Sequence, residues 1–438
     1  YTVTYDVTDA AGNAASQVVR TVNVVDTTAP AITLLGASPV TVEVHNAYSD
    51  AGATALDNYD GDLTGSIVAV SNVNVDVVGS YTVTYDVTDA AGNAASQVVR
   101  TVNVVDTTAP AITLLGASPV TVEVHNAYSD AGATALDNYD GDLTGSIVAV
   151  SNVNVDVVGA YTVTYDVTDA AGNAASQVVR VVHVVDTTAP VVSLVNATPN
   201  PVAVSKPFTV TAHIDDLGTN VVSAEYSLDE GLTWKPMDAI AQPALSVVAT
   251  VSVSGLSTTG IYTISVRGVD ASGNVSEPES IFLPVYDPNG GFVTGGGWIN
   301  SPAGAYAPNP ALTGKANFGF VSKYQKGSNV PTGQTEFQFK AGDLNFHSSS
   351  YEWLVCAGSK ATYKGVGTIN GQGSYKFFLS AIDGNLKAKG APDTFRIRIY
   401  SEAGGVETAI YDNLLGAQMD ADPTTVLGGG SIVIQSSK

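Results

Sequence analysis

The stretch DNYDGDLTG, residues 57–65, sets Asp57, Asp60 and Asp62 within six positions and has no Lys or Arg beside them. The same nine residues return at 137–145 and bring Asp137, Asp140 and Asp142. Like charges held this close repel one another. Ligation of a hard dication would relieve them, because calcium takes six to eight oxygens and accepts them from flexible loops. The stretch is not an EF-hand: its spacing is D-x-x-D-G-D, and Val68 stands where a bidentate Glu is needed. The competing reading is that these are turn-forming Asp residues that close Asx turns on their own backbone and face water.

Other residue types offer little chemistry. His45, His125, His183, His213 and His347 fall in no metal-ligand spacing, and no G-x-S-x-G elbow, P-loop or zincin motif is present. The Gly-rich run GGFVTGGGWI at 290–299 lacks the Lys and the strand–helix context of a phosphate loop, so it reads as a hinge or as a tightly packed strand. Asp343 and Glu352 are of the type that forms glycosidase pairs, but nothing in the sequence places them together. Cys356, the one cysteine, lies in the apolar run EWLVCAG and reads as a buried, inert thiol. A lone cysteine excludes an intrachain disulfide framework and a thiolate zinc cluster. The expectation is a non-catalytic protein.

The elements that must position the carboxylates repeat with a period of 80 residues. Residues 26–105 and 106–185 align without gaps and differ at three positions, Ser80/Ala160, Thr101/Val181 and Asn103/His183. Residues 1–25 are identical to 81–105, so the chain is expected to open on the last strands of a repeat whose parent extends upstream. Each unit starts VDTTAP, with Asp26, Asp106 and Asp186 followed by Pro30, Pro110 and Pro190. A proline there suits the first position of an edge strand. YTVTYDVTD alternates Tyr81, Val83, Tyr85 and Val87 with Thr82, Thr84, Asp86 and Thr88, which is the pattern of a half-buried strand. VTVEV at 40–44 and VVRTVNVV at 98–105 read the same way, and DAAGN at 89–93 is a turn, with Gly92 and Asn93 suited to positive φ. About seven short strands per repeat point to an immunoglobulin-like sandwich.

Residues 186–290 keep VDTTAP and a variant of the DAAGN strand–turn, and are expected to form a divergent Ig-like domain. Residues 291–438 hold 18 of the 34 aromatics and read as a C-terminal all-β domain, sandwich or barrel, built from runs such as QTEFQF, GSYKFFLS, DTFRIRIY and GSIVIQ. The fold class is therefore all-β: tandem immunoglobulin-like β-sandwiches followed by a C-terminal β-sandwich or barrel. Charge divides along the same line. Residues 1–290 carry 31 acidic and 6 basic side chains, and residues 291–438 carry 10 and 12. The acidic arm would be repelled by phosphates, which argues against a nucleic-acid partner. No apolar run is long enough to span a membrane.

The combination VDTTAP…DNYDGDLTGSIV…YTVTYDVTDAAGN resembles the bacterial Ig-like repeats of large secreted and surface proteins, in particular the type known from a pesticidal crystal protein. The VTDAAGN…VVDTTAP junction is similar to the repeats of giant bacterial adhesins, and the segment from FVTGGGWI to QTEFQF is similar to the post-COAP type of C-terminal module. The resemblance implies a stalk or adhesin role at the bacterial cell surface or outside the cell, with calcium stiffening the junctions. The partners expected are other copies of the chain, in a filament that the open edge left by residues 1–25 would favour through strand addition, or surface and glycan ligands.

In an Ig topology the linker, the DNYDGDLTG connection and the DAAGN turn meet at one end of the sandwich. Asp26, Asp57, Asp60, Asp62 and Asp89 are thus expected to converge, as are Asp106, Asp137, Asp140, Asp142 and Asp169. In the divergent domain, which lacks the DNYDGD loop, the corresponding set is Asp186, Asp215, Asp216 and Asp270. Isopeptide bonds are not available to residues 1–185, since the first lysine is Lys206. For glycan binding by the last domain the candidate stacking residues are Trp298, Tyr306, Trp353 and Tyr363, set against the reading that they are core.

Overall fold

The computed structural model describes residues 1–435 and divides into two compact units, one from Tyr1 to Val184 and one from Val185 onward. In the first unit, β1 (Thr2–Tyr5) and β2 (Val18–Thr21) pair as an antiparallel hairpin. The first full repeat then contributes β3 (Ala31–Leu34), β4 (Val40–Glu43), β5 (Ala53–Asp57), β6 (Gly61–Asp62), β7 (Val68–Ser71), β8 (Gly79–Asp86) and β9 (Val98–Val105). They form two sheets, β3-β5-β6 and β4-β9-β8-β7, in which β4 runs parallel to β9 and the other pairs are antiparallel. The alternation expected of β8 is present: Val83 and Tyr85 face inward and pack with Ala53 and Val102 between the sheets. β3 starts immediately after Pro30, as expected of a residue that cannot donate to a ladder.

The second repeat reproduces this with β10 (Ala111–Leu114), β11 (Val120–Glu123), β12 (Ala133–Leu136), β13 (Val148–Ser151), β14 (Gly159–Asp166) and β15 (Val178–Val185). Two of the three differences between the repeats are a single cross-strand pair. Ser80 lies opposite Asn103 and donates to its side-chain oxygen at 3.0 Å, and Ala160 lies opposite His183.

The sequence reading missed one buried feature. Arg100 is 1 % exposed and lies on the inward face of β9. Its Nε is 2.9 Å from Asp50, and its terminal nitrogens donate to Leu35 O, Ala37 O and Gly52 O. Tyr48 and Tyr85 donate to the same carboxylate. Arg180 and Asp130 repeat the arrangement. The available signal was an Arg in register with buried Val102 and Val104.

In the second unit, residues 186–290 build a sandwich with a distinct strand pattern. One sheet joins Val191–Thr198, Phe208–Asp215 and Ser246–Val253; the other has five strands centred on Gly260–Asp270. The last domain is a single up-and-down antiparallel sheet running from Phe292–Ser301 to Val406–Asp412, with Gly429–Gln435 added beside Phe292–Ser301. Both ends of this sheet feed one core. Phe318 and Phe395, from strands that are not neighbours, stack at 4.1 Å, and Ile432 and Ile434 join the same cluster. The sheet is therefore curled around an aromatic interior. The Gly-rich run is a packed strand rather than a hinge: a Cβ on Gly297 would meet Gly429 O at 2.2 Å. Tyr286, Trp353, Val355 and Phe378 form a second cluster where this domain meets the preceding sandwich. There Tyr286 stacks on Tyr324 at 5.1 Å and Thr259 donates to Cys356 O at 2.7 Å. Cys356 is buried, and burial pushes its thiol up to about 12.

Candidate metal centre

Three groups of carboxylates converge, each with one oxygen per residue inside 4.8 Å of the others: Asp26, Asp57, Asp60 and Asp89; Asp106, Asp137, Asp140 and Asp169; and Asp186, Asp216 and Asp270. Local backbone geometry places each member. Asp57 is the last residue of β5 and faces inward; its Oδ1 accepts from the amides of Tyr59 and Asp60 at 2.8 and 2.9 Å. Asp60 crosses to the neighbouring turn, where its Oδ2 accepts from Ala90 N at 2.8 Å. Asp89 opens that turn and accepts from the backbone and side-chain nitrogens of Asn93, both at 2.7 Å. Asn93 reaches on to Asp26 O at 3.3 Å and so ties the turn to the linker. Gly92 supplies the positive φ of the turn, +91°, and Asn93 lies outside the left-handed region. Asp9 and Asn13 in the first hairpin make the same bonds with no carboxylate cluster around them among the described residues, so this turn forms on its own sequence.

The second oxygens carry the chemistry. Oδ2 of Asp26, Asp57, Asp106, Asp137 and Asp216 is buried and has no hydrogen-bond partner among the described residues. Asp57 and Asp137 are each 5 % exposed, Asp106 6 % and Asp216 4 %. Buried carboxylate oxygens are normally satisfied, and a full charge without a counterion is costly there. Burial raises the Asp106 carboxyl above its ordinary value, and the charges of Asp137, Asp169 and Glu43 add to this. At Asp89 and Asp169 burial acts in the same direction, but the Asn93 and Asn173 hydrogen bonds outweigh it and hold both carboxyls below the usual range. Every donor is a carboxylate oxygen on a loop or strand end. That donor set suits a hard cation such as calcium and offers neither nitrogen nor sulfur for zinc or copper.

Three expected ligands lie outside the clusters. Asp62 is exposed because it sits opposite Leu56, an outward-facing residue 65 % exposed, and opposed residues of an antiparallel pair share a face. Its Oδ1 instead accepts from Thr64 N at 2.9 Å, and hydrogen bonding from the Thr64 side chain and then its backbone lowers the Asp62 pKa. Asp142 is placed likewise, opposite Leu136, and binds Thr144 N. Asp215 points out of its strand on the side of His213, whose Nδ1 is 2.9 Å away, and Asp216 turns inward. Thr219, missed from the sequence, completes the third cluster: its hydroxyl donates to Asp186 Oδ2 at 2.5 Å and stands three residues after Asp216, where Asp60 follows Asp57.

The aromatic candidates of the last domain separate. Tyr363 is fully buried in the main core with its hydroxyl on Thr335, and Trp353 is 5 % exposed in the cluster beside Tyr286, so neither offers a stacking surface. Tyr306 packs edge-on against Phe339 at 5.9 Å, and Trp298 is half-buried with Lys315 Nζ 4.8 Å from its ring centre. Glu352 is paired with Lys364 at 3.6 Å, and Asp343 ends the turn 340–342.

The family described as "Bacterial surface protein, Ig-like domain" matches residues 32–104 and 112–184, about a third of the chain. Among curated proteins, hyalin of Strongylocentrotus purpuratus is 35% identical over 210 residues, covering 45% of this chain and 17% of hyalin. The pesticidal crystal protein Cry22Aa of Bacillus thuringiensis is 32% identical over 156 residues, 31% of this chain and 21% of that protein. Chitinase A1 of Niallia circulans is 33% identical over 203 residues, 40% and 28% of the two chains. The chain thus spans less than a third of the length of each of these relatives. Among solved structures, the fibronectin(III)-like modules of Clostridium thermocellum CbhA align over 40% of this chain and 94% of theirs at 15% identity, with a TM-score of 0.19. The sialic acid binding region of a Streptococcus sanguinis adhesin aligns over 60% and 78% at 16% identity, also with a TM-score of 0.19. Among the described residues no helix is long and apolar enough to cross a membrane. Residues 32–104 and 112–184 are thus each similar, in tandem, to the bacterial surface Ig-like domain.

Proposed function

We propose that the chain is a non-catalytic structural or adhesive segment of an extracellular bacterial surface protein, and that calcium at the three carboxylate clusters stiffens its Ig-like domains. The observation that carries this is the set of buried, unpartnered Oδ2 atoms, one or two in each cluster. In the four-carboxylate clusters Asp26, Asp57, Asp60 and Asp89, or Asp106, Asp137, Asp140 and Asp169, would hold the ion, and in the third Asp186, Asp216 and Asp270 would do so. The bound ion would supply the counter-charge that the loops lack, tying the linker, the β5 end and the DAAGN turn together. The family match supports a surface location for the repeats.

The test is calorimetry on the whole chain. Calcium should raise the unfolding temperature of the repeats, EGTA should reverse the gain, and Asp57→Asn with Asp137→Asn should abolish the response of the four-carboxylate domains. Identical unfolding profiles with calcium and with EGTA would overturn the proposal. The stacking reading of the last domain loses two of its four aromatics to the core, and no observation raises it to an equal alternative.

A further inference from the structure

We infer that the loop carrying Asp137 and Asp140 is also the clasp between the two full repeats, seated through Tyr139, and that the cation held by the cluster sets whether the clasp is closed. This rests on the cluster binding a divalent cation. Tyr139 stands between the two cluster carboxylates in sequence. Its Oη accepts from Val78 N of the preceding repeat at 3.3 Å, and its ring lies 6.0 Å from that of His45, also of the preceding repeat. Tyr59, the same residue in the same loop one repeat earlier, is 79 % exposed, and the positions equivalent to Val78 and His45 would fall before residue 1 of the sequence.

The linker makes a second grip. Thr107 and Thr108, directly after the cluster residue Asp106, bring two amide-to-oxygen bonds and two hydroxyl bonds to the Glu43 carboxylate, at 2.6 to 3.1 Å. Both attachments to the preceding repeat therefore spring from segments that the four carboxylates draw together, and both Asp106 and Asp137 aim a buried, unpartnered oxygen into that group. Without a cation the four charges repel. The least costly relief is for the loop 137–140 to part from Asp106 and Asp169, because among the described residues one hydrogen bond, from Ala170 N to Asp140, holds it to the turn. Tyr139 must move with that loop. Linkage then works in both directions: the cation favours the seated tyrosine, and the seated tyrosine favours the cation.

The experiment measures the joint and the metal separately in the whole chain. Spin labels are placed at Val70→Cys and Val150→Cys, equivalent exposed positions in the two repeats, each 60 % exposed. Cys356 is buried and its thiol pushed up to about 12, so it should not compete for label. Pulsed-resonance distance distributions are recorded with calcium and with EGTA, and native mass spectrometry counts bound calcium. The expected result is a narrow distribution with calcium and a broad one with EGTA. Tyr139→Ala should leave the distribution broad in calcium, with calcium still bound at several-fold weaker affinity. Tyr139→Phe should recover part of the narrowing, and Tyr59→Ala none of the broadening. A narrow distribution in calcium-bound Tyr139→Ala, or one indifferent to EGTA in a calcium-binding chain, would overturn the clasp and leave the metal site standing. Absence of bound calcium from the unsubstituted chain would overturn both.

Discussion

Each repeat encloses one buried arginine with its partners. Arg100 is enclosed by Asp50, two tyrosine hydroxyls of that carboxylate's shell and three carbonyls, so its charge is fully used. Arg100→Ala would leave Asp50 and the carbonyls unpaired. The expected loss is about 3 kcal/mol, the low end for a broken buried pair because Asp50 keeps 24% of its side chain exposed. Differential scanning calorimetry checks it, with Arg180 in the second repeat as the untouched reference. The same site predicts a pH effect. Burial would raise the Asp50 carboxyl, but the Tyr85 and Tyr48 hydroxyls, Gly52 N and Arg100 together bring it below the ordinary Asp value. A carboxyl lowered in the folded state contributes stability above its unfolded pKa of about 4 and loses it as pH falls through the folded one. The chain should therefore lose unfolding temperature steeply below about pH 4. Asp50→Asn with Asp130→Asn, less stable at neutral pH, should show a flatter acid limb. An equally steep limb in that variant would place the acid sensitivity elsewhere.

At the level of the strands, the sequence was readable where side chains were large and alternating, and unreadable where they were small. The Tyr and Val alternation of β8 and the aromatic alternation of the last domain marked their strands directly. β5, Ala-Thr-Ala-Leu-Asp, did not announce itself, because alanine has little preference for a pleated surface. Yet β5 decides the site: its inward face ends on Asp57, and pairing Leu56 with Asp62 turns Asp62 to solvent. Convergence of the linker and turn carboxylates followed from the Ig topology and the period alone; the choice between Asp60 and Asp62, or Asp215 and Asp216, needed the register. The curl of the last sheet was likewise hidden, since stacking of Phe318 on Phe395 joins distant strands. A prediction belongs here. The third cluster has three carboxylates and a threonine where the others have four carboxylates. With one charge fewer it should bind calcium more weakly, and Thr219→Asp should tighten it. Asp62→Asn and Asp142→Asn should leave calcium affinity unchanged. Isothermal titration of the whole chain reads all three, and equal affinities for the three- and four-carboxylate sites would contradict the argument.

For the whole chain, charge and aromatic content divide the labour. The first 290 residues carry 31 acidic and 6 basic side chains, and the three clusters fall in that arm. The last domain is close to balanced, holds no such cluster among the described residues, and is stabilised by its aromatic interior and by Tyr286–Tyr324 stacking on the preceding sandwich. The two parts should consequently respond differently to ions. Native mass spectrometry should find three calcium ions per chain, lost in two stages as chelator rises, the three-carboxylate site emptying first. In the metal-free chain, unfolding of the arm should shift upward with added sodium chloride, because salt screens repulsion among exposed and partly exposed carboxylates over about 10 Å at 0.1 M. The last domain should barely move. With calcium bound the arm's salt response should shrink, since its tightest groups of like charge would already be neutralised. A metal-free arm indifferent to salt would mean that repulsion within the clusters is not what calcium relieves, and the stiffening would then need another physical cause.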